Sequence, residues 1–167
     1  MRYYLLRQDW KMEQAISPET INRYTTFEEL AELEFVYLRR QAEQEYVDFL
    51  ATPPVMISDK LKKVLEKHSP ATQFTRLILI DPQKKEQAMY WAMRPPLVDC
   101  LSSHTVFVTN KQIKKIVLDK TKLPSLGMFG IQGIMESYIV VNLAVTESIL
   151  RRNPWGVLFE RIEVREE

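Results

Sequence analysis

Short apolar runs separated by polar or proline-containing turns dominate the second half of the chain and predict a structure rich in strands. The clearest pair is Phe74 to Ile80 and Ala88 to Met93, which flank the polar turn 81–85 and favour a β-hairpin. Leu77 to Ile80 are apolar on both faces of the first strand. This pattern predicts a central strand covered on both sides, or one covered on one side with an interface on the other. Pro95-Pro96 ends the hairpin, because proline lacks the backbone N–H that donates a hydrogen bond to the neighbouring strand.

Other apolar stretches predict strands along the rest of the chain. They are residues 1–7, Thr105 to Val108, Lys115 to Leu118, Met128 to Met135 and Val157 to Val164. Tyr46 to Leu50 could continue a helix or form a short strand. Thr52-Pro53-Pro54 ends that segment in either case, because proline disfavours a helical conformation in the preceding residue. Residues 8–25 are polar and mixed, and we expect an irregular lead-in there.

Two segments carry a helical cap followed by an amphipathic pattern. Ser58 is a good N-cap for a helix over residues 59–68, and Asp59 suits the helix dipole. Asn142 is the candidate N-cap of the last helix, with Arg151 and Arg152 in its last turn and Pro154 beyond. The expected apolar faces are Ile57, Leu61, Val64 and Leu65 in the first helix, and Val141, Val145, Ile149 and Leu150 in the last.

A third helix is predicted near the start of the chain. Thr26-Phe27-Glu28-Glu29 is a capping-box sequence, in which the Glu29 side chain reaches back to the Thr26 amide. Leu30, Leu33 and Tyr37 then share a face at helical spacing. We therefore expect a helix from about residue 27 to 40.

These elements predict an α+β fold: a single domain over residues 1–167 with a mainly antiparallel sheet and two or three helices packed on it. Residues 1–45 would supply a strand, the lead-in and a helix. With 46% apolar and 27% charged residues and a net charge of +1, the chain has no global field that would attract nucleic acid. The chain contains a single cysteine, and it has neither an apolar run of membrane-spanning length nor a signal peptide. We therefore expect a cytoplasmic protein.

The residues offer little support for catalysis. Asp99, Cys100 and His104 are the one group that resembles a nucleophile set, but in an extended segment Cys100 and His104 would lie about 13 Å apart. We read Cys100 as a buried structural residue. One cysteine and two histidines do not supply a zinc site, and the glycines of residues 127–133 lack the lysine of a phosphate loop. We expect no catalytic residue, no metal and no cofactor.

Two features are candidates for contact with a partner. Glu28, Glu29, Glu32 and Glu34 form an acidic run that is either a solvated helix face or a contact surface for a basic partner. Trp91 and Trp155 are either core residues or interface anchors, because aromatic residues are frequent anchors of interfaces. The lysines of residues 60–67 carry no interleaved aromatic residue, so a solvated helix face explains them better than a nucleic-acid footprint.

Residues 46–162 resemble an immunity-protein family of bacterial polymorphic toxin systems, one long described as a domain of unknown function. The resemblance rests on the order of several pieces rather than on any one motif. They are Val55 to Leu61, Tyr90-Trp91, Val98-Asp99-Cys100-Leu101, Ile116-Val117-Leu118, Val140-Val141 and Gly156-Val157-Leu158-Phe159. The chain departs from the family pattern at Pro154-Trp155, where relatives tend to have smaller or polar residues.

The resemblance implies a non-enzymatic protein that binds and neutralises a cognate toxin, with neither nucleic acid nor membrane as a partner. The resemblance does not identify the residues that would bind the toxin, because the contact residues vary among such proteins. Two alternatives stay open. A small-molecule or regulatory binding domain would need a deep apolar pocket with converging polar groups. A cysteine-dependent hydrolase would need His104 within about 3 Å of the Cys100 sulfur. The oligomeric state is left open.

Overall fold

The structure, a computed structural model, describes residues 1–22, 24–52 and 54–167. In chain order the strands are β1 (Tyr3–Gln8), β2 (Leu33–Tyr37), β3 (Phe49–Leu50), β4 (Met56–Ser58), β5 (Gln73–Asp81), β6 (Glu86–Arg94), β7 (Leu97–Val98), β8 (Val106–Thr109), β9 (Gln112–Lys115), β10 (Val117–Asp119), β11 (Met128–Ile131), β12 (Ile139–Asn142), β13 (Val157–Arg161) and β14 (Glu163–Arg165). The helices are α1 (Asp59–His68) and α2 (Leu143–Leu150), and single 3-10 turns span Phe27–Glu29 and Lys120–Lys122.

The strands form two five-stranded sheets and two short ribbons. Sheet 1 has the order β13-β1-β12-β11-β7, and sheet 2 has the order β2-β5-β6-β4-β3. Most pairs are antiparallel; β2 with β5, β7 with β11 and the β10–β14 ribbon are parallel. The predicted α+β class with mainly antiparallel pairing and two helices is confirmed, but the expectation of one sheet is wrong.

Three apolar clusters hold these elements together. The first joins both sheets and both helices, through residues such as Leu6, Ile57, Leu65, Val141 and Ile149. The second covers the other face of sheet 2 with the lead-in, where Ile16 and Ile21 meet Leu77 and Leu79; the third covers the other face of sheet 1 with residues 98–126. Each sheet therefore has buried apolar side chains on both faces over at least part of its area.

The buried carboxylate of Asp48 connects three separate segments. Its Oδ1 accepts a hydrogen bond from the Ser58 hydroxyl at 2.6 Å, and its Oδ2 accepts one from the backbone N–H of Trp155 at 2.6 Å. Lys60 Nζ lies 3.1 Å from Oδ2 and also donates to the carbonyl of Asn153. The Asp48 backbone bonds to Trp155 and to Ser58 as well. The β3 segment, the start of α1 and the loop before β13 are thus fixed to one another.

Both predicted N-caps are confirmed. Ser58 Oγ accepts from the amide of Leu61 at 3.3 Å, and Asn142 Oδ1 accepts from the amide of Val145 at 3.0 Å. The end of α2 differs from the prediction: the helix stops at Leu150, whose side chain is exposed, and Arg151 is its C-cap. The arginines therefore follow the last turn instead of lying in it.

The predicted helix over residues 27–40 is wrong. Glu29 does accept the Thr26 amide at 3.2 Å, but only the 3-10 turn Phe27–Glu29 forms, and Leu30 already has extended dihedrals. Residues 33–37 instead form β2, which pairs with β5 and buries Val36 in the second cluster. Long-range strand pairing has overridden a local helix signal. The residues from Glu28 to Glu34 consequently lie on a turn, a coil and a strand.

Several strand boundaries also differ. The predicted strand from Val157 to Val164 is broken at the buried Ile162, and Lys115 belongs to the β8–β9 hairpin rather than to β10. The ambiguous segment 46–50 ends in the two-residue strand β3. Pro53, predicted to help end that segment, and Arg23 of the lead-in lie outside the described residues. The β5–β6 hairpin forms as predicted.

Replacing Ser58 should destabilise the protein. Ser58→Ala removes the cap of α1 and leaves Asp48 Oδ1 without its hydroxyl donor, so we expect a loss of about 1–2 kcal/mol in the free energy of unfolding. Urea denaturation followed by circular dichroism measures this loss. Ser125→Ala, at an exposed position, is the control and should change the value by less than about 0.5 kcal/mol. Equal midpoints for the two variants would contradict the capping role.

Gly156 should tolerate no side chain. Its φ is +71°, and an added Cβ would lie 2.5 Å from Val47 Cγ1. Gly156→Ala should therefore lower the free energy of unfolding by about 2–4 kcal/mol. Gly133→Ala is the matched control, because Gly133 has φ +86° with no atom within 4 Å of the added Cβ. It should cost only about 1–2 kcal/mol from the backbone alone. A smaller loss for Gly156→Ala than for Gly133→Ala in thermal unfolding would refute the steric argument.

Candidate interaction surface

One face of sheet 2 is only partly covered. The side chains of β2, β5 and β6 alternate, and α1 packs over the end of the sheet at Ile57 and Met93. The remaining area carries six apolar side chains, which we call the open face: Leu33, Phe35, Tyr37, Ile78, Ile80 and Met89. Phe35 is 56% exposed and Tyr37 46%, while Ile78 and Ile80 are half-buried. Contiguous exposed apolar side chains of this kind mark interaction sites.

The structure thus selects between the two readings of the β5 sequence. Leu77 and Leu79 are buried in the second cluster, whereas Ile78 and Ile80 point to the open face. The strand is covered on one side, and on the other it contributes to an exposed apolar surface.

The edge of sheet 2 beside β2 is partly blocked. The Thr20 hydroxyl accepts from the Tyr37 amide at 3.1 Å, and the Arg39 amide donates to the Ser17 carbonyl at 2.7 Å. A bridge also joins Pro18 and Leu38. Residues 17–20 therefore occupy the backbone groups at the C-terminal end of β2, as natural proteins commonly protect edge strands. A partner at this end of β2 would therefore meet the side chains of the face rather than free backbone groups.

Trp91 lies at the border between α1 and the open face. It is half-buried, its indole N–H donates to Asp59 Oδ1 at 3.0 Å, and this bond holds the pKa of Asp59 below its ordinary value. Lys62 Nζ is 4.3 Å from the ring centroid, and the Arg76 guanidinium is 5.3 Å away on the ring face. Trp91 and Arg76, together with Leu33, Phe74 and Glu32, line a notch of about 350 Å³.

The acidic residues predicted as a contact face are mostly engaged locally. Glu28 pairs with Arg94, Glu29 accepts the Thr26 amide, and Glu34 accepts the Ala31 amide at 2.7 Å. Glu32 alone among the four has neither a hydrogen bond nor an ion pair with the described residues. The structure brings Glu32 next to Trp91 in the notch, but the four carboxylates do not form one helical surface.

Trp155 belongs to a different part of the molecule. Its side chain is 54% exposed, and its indole N–H donates to Glu45 Oε2 at 3.2 Å. The backbone N–H of Trp155 donates to the Asp48 carboxylate, and its carbonyl accepts from the Asp48 amide. Trp155 is therefore a rigidly held surface residue rather than a core residue, and it is not among the side chains of the open face.

Cys100 and His104 are not arranged as a nucleophile and its base. Cys100 is fully buried in the third cluster, and burial raises the pKa of its thiol to about 11. Among the described residues no hydrogen bond joins its sulfur to His104. His104 Nδ1 instead lies 3.1 Å from Glu167 Oε1 and 3.2 Å from Ser102 Oγ.

A serine, a histidine and a glutamate do meet at this turn, and no sequence pattern predicted this group. The Glu167 carboxylate accepts from the hydroxyls of Ser102 and Ser103 and from the Ser103 amide, and these bonds lower its pKa to about 2. In a catalytic triad the acid and the nucleophile hold opposite nitrogens of the imidazole. Here the Glu167 carboxylate and the Ser102 hydroxyl both contact Nδ1 of His104, and Ser102 is buried. The cluster fastens the side chain of Glu167 to the 102–104 turn.

The concavities of the surface are moderate in size and open to solvent. Their volumes are about 300 to 520 Å³. One cleft with a partly apolar lining, of about 370 Å³, lies between Phe27, Met93 and Tyr138. The charged groups on its wall include Arg94 and Glu28, which already pair with each other. This cleft is the place where a small molecule would bind under the alternative reading.

Two further properties concern the described residues alone. No helix they form is long and apolar enough to span a bilayer. No three of their His, Cys, Asp and Glu side chains come together in a way that could hold a metal ion.

No protein-family model matches the chain, and no curated protein matches it.

The pattern of β5 predicted an apolar face as one of two alternatives, but the contribution of β2 to the open face was not predicted, because residues 33–37 were expected to be helical. A signal was present: Leu33, Phe35 and Tyr37 alternate with Glu34 and Val36, and aromatic and β-branched residues favour strands. The period-2 pattern of this segment was the better guide than the capping box that precedes it.

The thiol of Cys100 should be inert in the folded protein. With a pKa of about 11, only roughly 0.1% would be thiolate at pH 8, and the sulfur is also inaccessible. We expect Ellman's reagent to leave the native protein unmodified and to modify one thiol per chain in 6 M guanidinium chloride. Cys100→Ala should retain biological activity with a modest loss of stability. Rapid native labelling, or loss of activity in a folded Cys100→Ala protein, would contradict the structural role.

Proposed function

We propose that this protein is a non-enzymatic immunity protein that binds a cognate bacterial toxin domain in the cytoplasm and blocks it. The observation that carries the proposal is the open face, a set of apolar side chains exposed on a sheet. The resemblance of residues 46–162 to immunity proteins supplies the class of partner. The buried, poorly ionised Cys100 thiol speaks against the hydrolase alternative.

The open face suits a protein partner because its side chains are already in place. Phe35 and Tyr37 project from a strand whose edge is fixed by residues 17–20, and Ile78 and Ile80 lie on the central part of the same sheet. Rigid, pre-arranged aromatic side chains bind with little loss of conformational entropy. The half-buried isoleucines would form the centre of the contact, with Phe35 and Tyr37 as anchors.

Occlusion of this kind is stoichiometric. Inhibition of the toxin encoded beside this gene should therefore saturate at one equivalent of the protein, since a binding protein does not turn over. Isothermal titration calorimetry gives the ratio and the affinity, and a toxin activity assay gives the inhibition curve. Complete inhibition by far less than one equivalent would exclude occlusion.

Truncation of Phe35 locates the contact. Phe35→Ala should weaken toxin binding about 30-fold, the effect of losing an interface anchor worth about 2 kcal/mol. Leu158→Ala is the matched control, because Leu158 is a similarly exposed apolar residue on an edge strand of sheet 1. It should change the affinity less than about threefold. Equal affinities for Phe35→Ala and the wild type, with unchanged circular dichroism spectra, would remove the open face from the interface.

A further inference from the structure

Four cations around the open face have no acidic partner among the described residues. Arg76 lies on the face beside Trp91, Arg39 follows β2 at one end, and Lys84 and Lys85 form part of the turn at the same end. All four are exposed, and none forms an ion pair with another described residue. By contrast, Lys62, which stacks on Trp91 next to this face, is paired with Glu66.

The acidic residues nearby do not balance these four charges. Glu86 begins β6 at the same end, but its carboxylate accepts from the Tyr46 hydroxyl at 3.1 Å on the other face of the sheet. Asp81 is buried on that other face as well. Two acidic residues are then left to offset the four cations. They are Glu19, whose amide donates to the Tyr37 carbonyl, and Glu32 in the notch. Although the whole chain carries only +1, the border of the open face is locally basic.

We propose that the partner of the open face is a protein surface with an apolar centre surrounded by carboxylates. This inference rests on the proposed function and specifies the chemistry of the toxin domain that the protein binds. Complementary charges at a rim steer association and fix orientation, while the apolar centre supplies most of the affinity. An acidic partner for the open face replaces the expectation that the acidic run binds a basic partner. Three carboxylates of that run, those of Glu28, Glu29 and Glu34, already have partners within the chain.

A nucleic acid fits this surface less well. Single strands bind by stacking bases on aromatic rings inside a basic groove, and Phe35 and Tyr37 with Arg76 would meet that requirement. However, the rest of the open face beside the two rings is aliphatic: Leu33, Ile78, Ile80 and Met89. Aliphatic side chains gain most from burial against other apolar side chains. The composition of the face therefore favours a protein.

Charge reversal tests the inference. The triple variant Arg39→Glu, Lys84→Glu, Lys85→Glu should bind the adjacent toxin domain with an association rate constant at least about tenfold lower at 50 mM salt. The control variant Lys111→Glu, Lys114→Glu, Arg161→Glu changes the net charge equally at three exposed, unpaired cations away from the face. It should change the rate constant less than about threefold, and the difference between the variants should shrink at 500 mM salt.

The outcomes separate the two proposals. Toxin binding by wild-type protein with an unchanged or faster association of the Arg39, Lys84, Lys85 variant would overturn the acidic partner and leave the immunity function standing. No binding of the toxin by wild-type protein would overturn both. Saturable binding of a 12-nucleotide oligouridylate in fluorescence anisotropy, abolished by Phe35→Ala, would assign the face to nucleic acid instead. Circular dichroism of each variant establishes that it is folded.

Discussion

The carboxylate of Asp48 is the constraint on which much of this structure depends. A buried charge is costly unless it is fully hydrogen-bonded, and Asp48 obtains its partners from segments far apart in the chain: Ser58 and Lys60 at the start of α1, and Trp155 before β13. Because β3 and β4 belong to sheet 2 and β13 to sheet 1, these bonds set the position of one sheet relative to the other. The core between the sheets is then filled by the apolar faces of both helices.

This arrangement leaves one sheet face without a full cover. Two helices are enough to fill the space between the sheets, and the irregular lead-in covers the opposite side of sheet 2. The half of sheet 2 that contains β2 lies beyond the reach of α1, yet its residues remain aromatic and aliphatic. A soluble surface would normally carry polar side chains there, so the sequence retains apolar groups at a position where folding alone does not require them.

Features set by local sequence were predictable. Ser58 and Asn142 cap the two helices, and the β5–β6 hairpin follows from its turn and flanking alternation. The helix expected at residues 27–40 was wrong because the capping box favoured a helix locally, whereas pairing with the distant strand β5 stabilises the extended conformation that the alternation of residues 33–37 also favours. The contribution of β2 to the open face was not predicted for the same reason, since Phe35 joins Ile78 on that face only when residues 33–37 form a strand. The partner of Glu28, Arg94, lies on a distant strand and could not be predicted from the spacing of the acidic residues.

The position of β1 inside sheet 1 affects the order in which this sheet can form. β1 (Tyr3–Gln8) is synthesised long before its two neighbours, β12 (Ile139–Asn142) and β13 (Val157–Arg161). The apolar side chains of Tyr3, Leu5 and Leu6 therefore lack their strand partners until β12 and β13 have been synthesised. Contacts of such sequence separation slow folding and leave nascent strands open to chaperones or aggregation. Sheet 2, which takes all its strands from residues 33–94, is free to assemble first.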